Sequence, residues 1–220
     1  MSCSNKTIKP FYIYTDDRCL FVKNINEHHE KLAKNIFSYC ANFDESNKIH
    51  ICAIDTSGKL VHFINNKGTW KKKVISKLLN NVKNIKDMRL YIYNNLLHIF
   101  ITESYPLSDN LYKICHINFD TSNYKVSKYN INNVFKENES IYKINLDELS
   151  NIILEYKTKN NISRNISNNL SIFNITSRKW MPSNGLMRNS NKNLSNYNYS
   201  TYTNIKDDIF EYCYSIKYKL

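Results

Sequence analysis

Two runs set 48 residues apart nearly superpose: Asn47-Lys48-Ile49-His50-Ile51-Cys52-Ala53-Ile54-Asp55 and Asn95-Leu96-Leu97-His98-Ile99-Phe100-Ile101-Thr102-Glu103. In the second run Leu97, Ile99 and Ile101 alternate with His98, Phe100 and Thr102. A period of two throws successive side chains to opposite faces of a strand, and β-branched and aromatic side chains suit a pleated sheet. A repeated strand of this kind constrains the chain to a repeated sheet.

The second run belongs to a stretch, 86–131, that reads as four short strands in succession. Asn94-Asn95, residues 106–110 and residues 120–123 separate them. Asn and Asp tolerate positive φ and bond their own backbone, so these segments read as turns of an antiparallel meander. A lone meander leaves two faces uncovered and needs neighbours. The unit before it carries strands at 36–41, 48–54, 59–64 and 69–74. The unit after it carries them at 140–146, 151–157, 169–176 and 178–181, with Trp180 standing where Trp70 and Tyr124 stand. The ends complete each other: 197–203 and 209–217 read as first and second strands, 11–14 and 19–23 as third and fourth. Residues 25–34 read as a connector or one to two helical turns. Leu78, Leu79 and Val82 in the connector 76–85 have the spacing of a short helix, 132–139 is a second connector, and 183–196 an exposed loop.

A period near fifty with four strands per period resembles the β-propeller repeat proteins. The resemblance is one of architecture and covers nearly the whole chain; it lacks the Trp-Asp, double-glycine kelch and Asp-box signatures. It implies an all-β fold: one domain, 1–220, forming a β-propeller of about four four-stranded antiparallel blades. The blades are expected at 35–77, 84–132 and 139–186, with the last, 195–220 plus 8–25, closed by both termini.

Three glycines are few for so many turns, and the 35 asparagines are expected to take their place in the left-handed region. The Asn, Lys, Ile and Tyr enrichment also matches an AT-rich, clostridia-like bacterial genome, so composition alone says little about function. No run approaches the roughly 20 apolar residues of a membrane span. The N-terminal residues lack the apolar core of a secretory signal. Cys3, Cys19, Cys40, Cys52, Cys115 and Cys213 lack metal-type spacing, and most fall inside strands, where a reduced thiol acts as a small hydrophobe. The expectation is a cytoplasmic protein with no membrane contact.

His50 and His62 flank one turn, His98 and His116 the corresponding one, so each pair is expected to face across neighbouring strands. Such pairs are candidate metal ligands, but no third ligand recurs in register, and packing between adjacent blades is the simpler expectation. No cofactor is expected. Lys67, Lys71, Lys72, Lys73 and Lys77 surround Trp70, and with a net charge of +12 this could attract anionic polymers. Alternation divides the run, with Lys71 and Lys73 on one face, Trp70 and Lys72 on the other. Among the carboxylates, Glu155 and Glu211 lie within strands and are the candidates for a glycosidase-like propeller hydrolase, yet no paired acids or nucleophile motif accompanies them. Seventeen tyrosines are spread over every unit; their amphipathic rings suit interfaces and sugars. The expected function is therefore a non-enzymatic binding or scaffold module for a protein or glycan, with Trp70, Lys72, Tyr105, Tyr156 and Trp180 as candidate ligand-binding residues. The alternatives are the hydrolase and a half-ring subunit of a larger homo-oligomeric propeller.

Overall fold

The computed structural model describes residues 12–23, 28–66, 68–93, 95–108, 110–136, 140–147, 149–159, 165–182 and 209–210. The regular structure there is all β: β1 (Tyr12–Asp16), β2 (Cys19–Lys23), β3 (His29–Ala33), β4 (Ile36–Phe43), β5 (Ile49–Asp55), β6 (Lys59–Asn66), β7 (Thr69–Lys77), β8 (Ile85–Tyr93), β9 (Leu96–Ser104), β10 (Leu111–Asp120), β11 (Val126–Phe135), β12 (Tyr142–Leu146), β13 (Ile152–Lys159), β14 (Ile166–Asn174), β15 (Lys179–Pro182) and β16 (Ile209–Phe210). A terminal sheet has the order β16-β1-β2-β3, and a second sheet β4-β5-β6-β7. The remaining strands are joined in one eight-stranded sheet, along the path β15-β14-β13-β11-β10-β9-β8 with β12 paired to β13 beside it. That sheet is two meanders, β8 to β11 and β12 to β15, linked through the single pair Val134–Thr158. They are called the third and fourth sheets below.

Turn chemistry sets the hairpins. Asp44 Oδ1 accepts the amides of Ser46 and Lys48, and one hundred and three residues on, Asp147 Oδ1 accepts those of Leu149 and Asn151. The left-handed position in these two turns is filled by Asn47 and by Ser150. Asn35, Asn95 and Asn133 are also left-handed, as expected of asparagine in a glycine-poor chain. Gly58 is different. Its φ is +84°, its carbonyl accepts the amides of Leu78 and Leu79, and a Cβ there would strike the Leu79 carbonyl.

Three expectations need correction. Residues 25–34 contain a strand, β3, which supplies the outer strand of the terminal sheet. The strands at 11–14 and 19–23 are accordingly the middle two of that sheet, and the C-terminal contribution pairs with β1 through Ile13–Phe210 and Tyr14–Ile209. Only Leu32 and Ala33 turn inward in β3, which is why its apolar pattern was too short to read as a strand. The connector after β7 forms no helix; Leu79 and Val82 instead plug the space between the second and third sheets. The strand expected at 197–203 and the loop at 183–196 lie outside the described residues.

The sheets face one another in chain order, and alternation assigns each side chain to a neighbour. In β5, Ile51 and Ala53 meet Ile13, Leu20 and Val22 of the terminal sheet, while Cys52 and Ile54 join Leu97, Ile99 and Ile101 of β9. On the opposite face of β9, Phe100 packs with Ile114, Tyr142, Leu154 and Phe173 toward the fourth sheet. The even-numbered spacing of the repeat preserves this parity, so His50 and His98 both point toward the sheet that follows. Cys40 and Cys52 are opposed across β4 and β5 as buried free thiols, the first donating to the Cys52 carbonyl.

Candidate functional site

The buried polar residues among those described include four histidines, His50, His62, His98 and His116. The two pairs meet diagonally rather than directly opposite: His62 lies opposite Cys52, two residues from His50, and His116 lies opposite Phe100, two from His98. His50 Nδ1 and His62 Nε2 are 3.0 Å apart, and so are His98 Nδ1 and His116 Nε2. In the second pair the ring planes are inclined by 8° with centroids 5.3 Å apart. At that nitrogen separation the rings lie edge to edge, in the geometry of an N–H···N bond.

Each pair continues to a residue from the sheet that follows. Trp180 Nε1 donates to His116 Nδ1 at 3.0 Å, and Tyr124 Oη lies 3.2 Å from His62 Nδ1. Indole N–H can only donate. His116 Nδ1 therefore carries no proton, its Nε2–H donates to His98 Nδ1, and the His98 proton sits on Nε2. In the first chain His50 Nε2 lies 3.3 Å from Asp44 Oδ2, a carboxylate oxygen that accepts. The same logic then runs Tyr124 O–H to His62, His62 to His50, and His50 to Asp44. Both chains point in one direction, from the following sheet back into the preceding one.

Burial dominates the electrostatics. It holds His62 and His98 down to about 3, the neighbouring His50 adding to the effect on the first and the Arg178 charge to that on the second. Burial also lowers His50, against the opposing effect of its hydrogen bond to the Asp44 carboxylate, and His116 is held well below the ordinary range by burial and by His98. Neutral rings are therefore the working state. Phe100 stacks on His116 at 4.5 Å, and Phe119 meets His62 edge-on. Among the described residues no three His, Cys, Asp or Glu side chains form a metal-binding group.

The candidate ligand-binding residues do not form one site. Trp180 is half-buried and serves the second histidine chain. Tyr156 lies in β13, packed on the core between the third and fourth sheets, its hydroxyl 3.2 Å from Ser171 Oγ. Tyr105 lies just beyond β9, its hydroxyl accepting the Asn133 amide. Trp70 packs on the core between the terminal and second sheets, and Lys72 on the same face of β7 sets its ammonium over the Phe63 ring. Lys73, on the other face, lies over Tyr124. Lys71, Lys72, Lys73 and Lys77 are all exposed along β7, the outer strand of its sheet, whereas Lys67 lies outside the described residues. Glu155 accepts from Asn145 at an exposed position, and Glu211 lies outside the described residues. The sequence reading placed Asp44 among the turn carboxylates without linking it to the histidines, and missed Asn118. Asp44 sits in a turn like any other, and nothing local marks its second oxygen as a histidine acceptor.

No protein-family model and no curated protein matches the chain. Among solved structures, a bifunctional GH43-CE protein of Bacteroides eggerthii is similar at TM-score 0.39 and 9% identity, over 80% of this chain and 25% of that one. A chain of the S. cerevisiae assembly of Dbp5, Nup159, Gle1, IP6 and ADP is similar at TM-score 0.43 and 11% identity, over 83% and 54%. A chain of the fission yeast SREBP-SCAP binding-domain complex is similar at TM-score 0.37 and 10% identity, over 84% and 55%. This chain thus spans between a quarter and about half the length of these structures.

Proposed function

We propose that this chain is a non-catalytic binding platform. Its four sheets are the blades of a β-propeller, the last blade shared by both ends of the chain, and its turns and outer strands hold a protein or glycan partner. One observation carries the reading. The four buried histidines of the six in the chain, side chains well suited to acid–base or metal chemistry, are committed to one another and to Asp44, Tyr124 and Trp180 in buried chains between successive sheets. Side chains spent this way hold blades together rather than meet a substrate. The surface offers something else: lysines along β7 with Trp70 beside them, and a net charge of +12. An edge row of lysines discourages strand pairing and gives an acidic partner a place to bind. Free thiols at Cys19, Cys40, Cys52 and Cys115 fit a reducing compartment, the cytoplasm.

The test has two arms. A panel of chromogenic glycosides and esters is expected to show no turnover above buffer. A glycan array and binding measurements with acidic polymers are expected to find a ligand, and the acidic component should weaken with salt and in Lys71→Glu/Lys73→Glu, because exposed charge contacts are screened. Reproducible turnover lost in Glu155→Gln would overturn the reading in favour of a hydrolase.

A further inference from the structure

The two histidine chains end differently. In the first, the His50 Nε2–H finds the Asp44 carboxylate. In the second, the proton direction forced by Trp180 leaves an N–H on His98 Nε2, and that atom, fully enclosed, has no acceptor among the described residues. The cause is local. The Tyr93–Leu96 pair closes the turn before β9 two residues wide, whereas the corresponding turn before β5 is wide enough to carry Asp44. A second change accompanies the first. The residue directly opposite His50 on β6 is Ile64, but the one opposite His98 on β10 is Asn118. Asn118 is 1% exposed, as is His98, and its Nδ2 also lacks a partner among the described residues. Directly opposed side chains share a face, with Cβ atoms about 4.5–5.5 Å apart. Two cross-strand neighbours therefore each bury an N–H donor, where the earlier sheet has one donor satisfied by a carboxylate and an aliphatic neighbour.

Buried donors in native proteins are satisfied, by protein or by an enclosed molecule. We infer that His98 Nε2–H and Asn118 Nδ2–H form a buried site for one small hydrogen-bond acceptor between the third and fourth sheets, a water oxygen or a halide ion, which completes the second chain as Asp44 completes the first. A cation does not fit, because both atoms donate. Phe173, edge-on to His98, supplies an apolar wall of the site and keeps it small.

Crystals grown in sodium chloride and soaked in sodium bromide, measured at the bromine absorption edge, test this directly. The expected result is a density peak within hydrogen-bond distance of both nitrogens. An anomalous signal identifies it as halide, its absence as water, and either supports the site. No peak there, or a direct bond between Asn118 and His98, overturns it. Imidazole nitrogen NMR of the unmodified protein gives an independent reading. His98 should carry its proton on Nε2, with transfer of magnetisation from water if the occupant is water; a proton on Nδ1 would refute the inference. Asn118→Ile, which copies the Ile64 arrangement, should abolish the crystallographic peak, and a peak that persists unchanged would also count against the site.

Discussion

Acidification from about pH 7 to about pH 5 is expected to remove on the order of several kcal/mol of folding stability. The four histidines at the sheet interfaces are held below their ordinary value of 6.5, chiefly by burial, with His62 and His98 at about 3. Because the folded values lie below the unfolded ones, it is the unfolded chain that takes up protons first. Stability is therefore complete above about pH 6.5 and is lost as the pH falls from there toward the folded values, by up to about 1.4 kcal/mol per pH unit for each histidine. Nearby charges modulate this without reversing it: Asp44 opposes the lowering at His50, while Lys48 near His50 and Arg178 near His98 reinforce it. With total stabilities of about 5–15 kcal/mol in ordinary domains, the acid transition should begin near pH 6 and be steep. Denaturant titrations at half-unit pH steps would check this, with His98→Leu giving a shallower slope. A stability that stays level down to about pH 4.5 would contradict the buried neutral chains.

Gly58→Ala is expected to cost roughly 3 kcal/mol or more, a large effect for the addition of one methyl group. Two penalties coincide. An alanine at φ +84° is strained in itself, and its Cβ would collide with the Leu79 carbonyl, which is backbone and cannot swing aside. The Gly58 carbonyl anchors Leu78 and Leu79, and Leu79 fills the interface between the second and third sheets, so relief of the collision would withdraw a core side chain. Gly68 provides the internal comparison. It has a similar φ, +89°, but open space where a Cβ would go. Gly68→Ala should therefore cost only the backbone strain. Equal losses at the two positions in chemical denaturation would show that the Leu79 contact contributes nothing.

The sheets were legible because alternation is a local property. The Leu97 to Thr102 pattern marks both faces of β9, and the forty-eight-residue offset carries its parity to β5 without any knowledge of contacts. The equivalence of Tyr124 and Trp180 was legible for the same reason, and both cap a third-strand histidine of the preceding sheet. Trp70, second in the fourth strand of its sheet as Trp180 is in β15, likewise packs on the core shared with the preceding sheet, here the terminal one. β3 was not legible, since three of its five side chains are exposed and its inward residues amount to Leu32 and Ala33. Nor was the length of the histidine chains. Hydrogen bonds spanning sixty-two and sixty-four residues, from His62 to Tyr124 and from Trp180 to His116, depend on how sheets are placed against each other. The donor left at His98 follows from a turn two residues wide, whose consequence is visible only once the tautomers are fixed.

The proposed closure of a ring of blades rests on the two ends of the chain building one sheet. In the structure β16 covers β1 through Ile13 and Tyr14. Removing residues 205–220 would uncover the β1 edge, whose amides and carbonyls then seek a strand from another molecule. Light scattering coupled to size exclusion, on the full chain and on the shortened one, reads this directly. The shared sheet predicts that the full chain stays monomeric while the shortened chain self-associates and melts at a lower temperature. A shortened chain that remains monomeric with unchanged melting would contradict it.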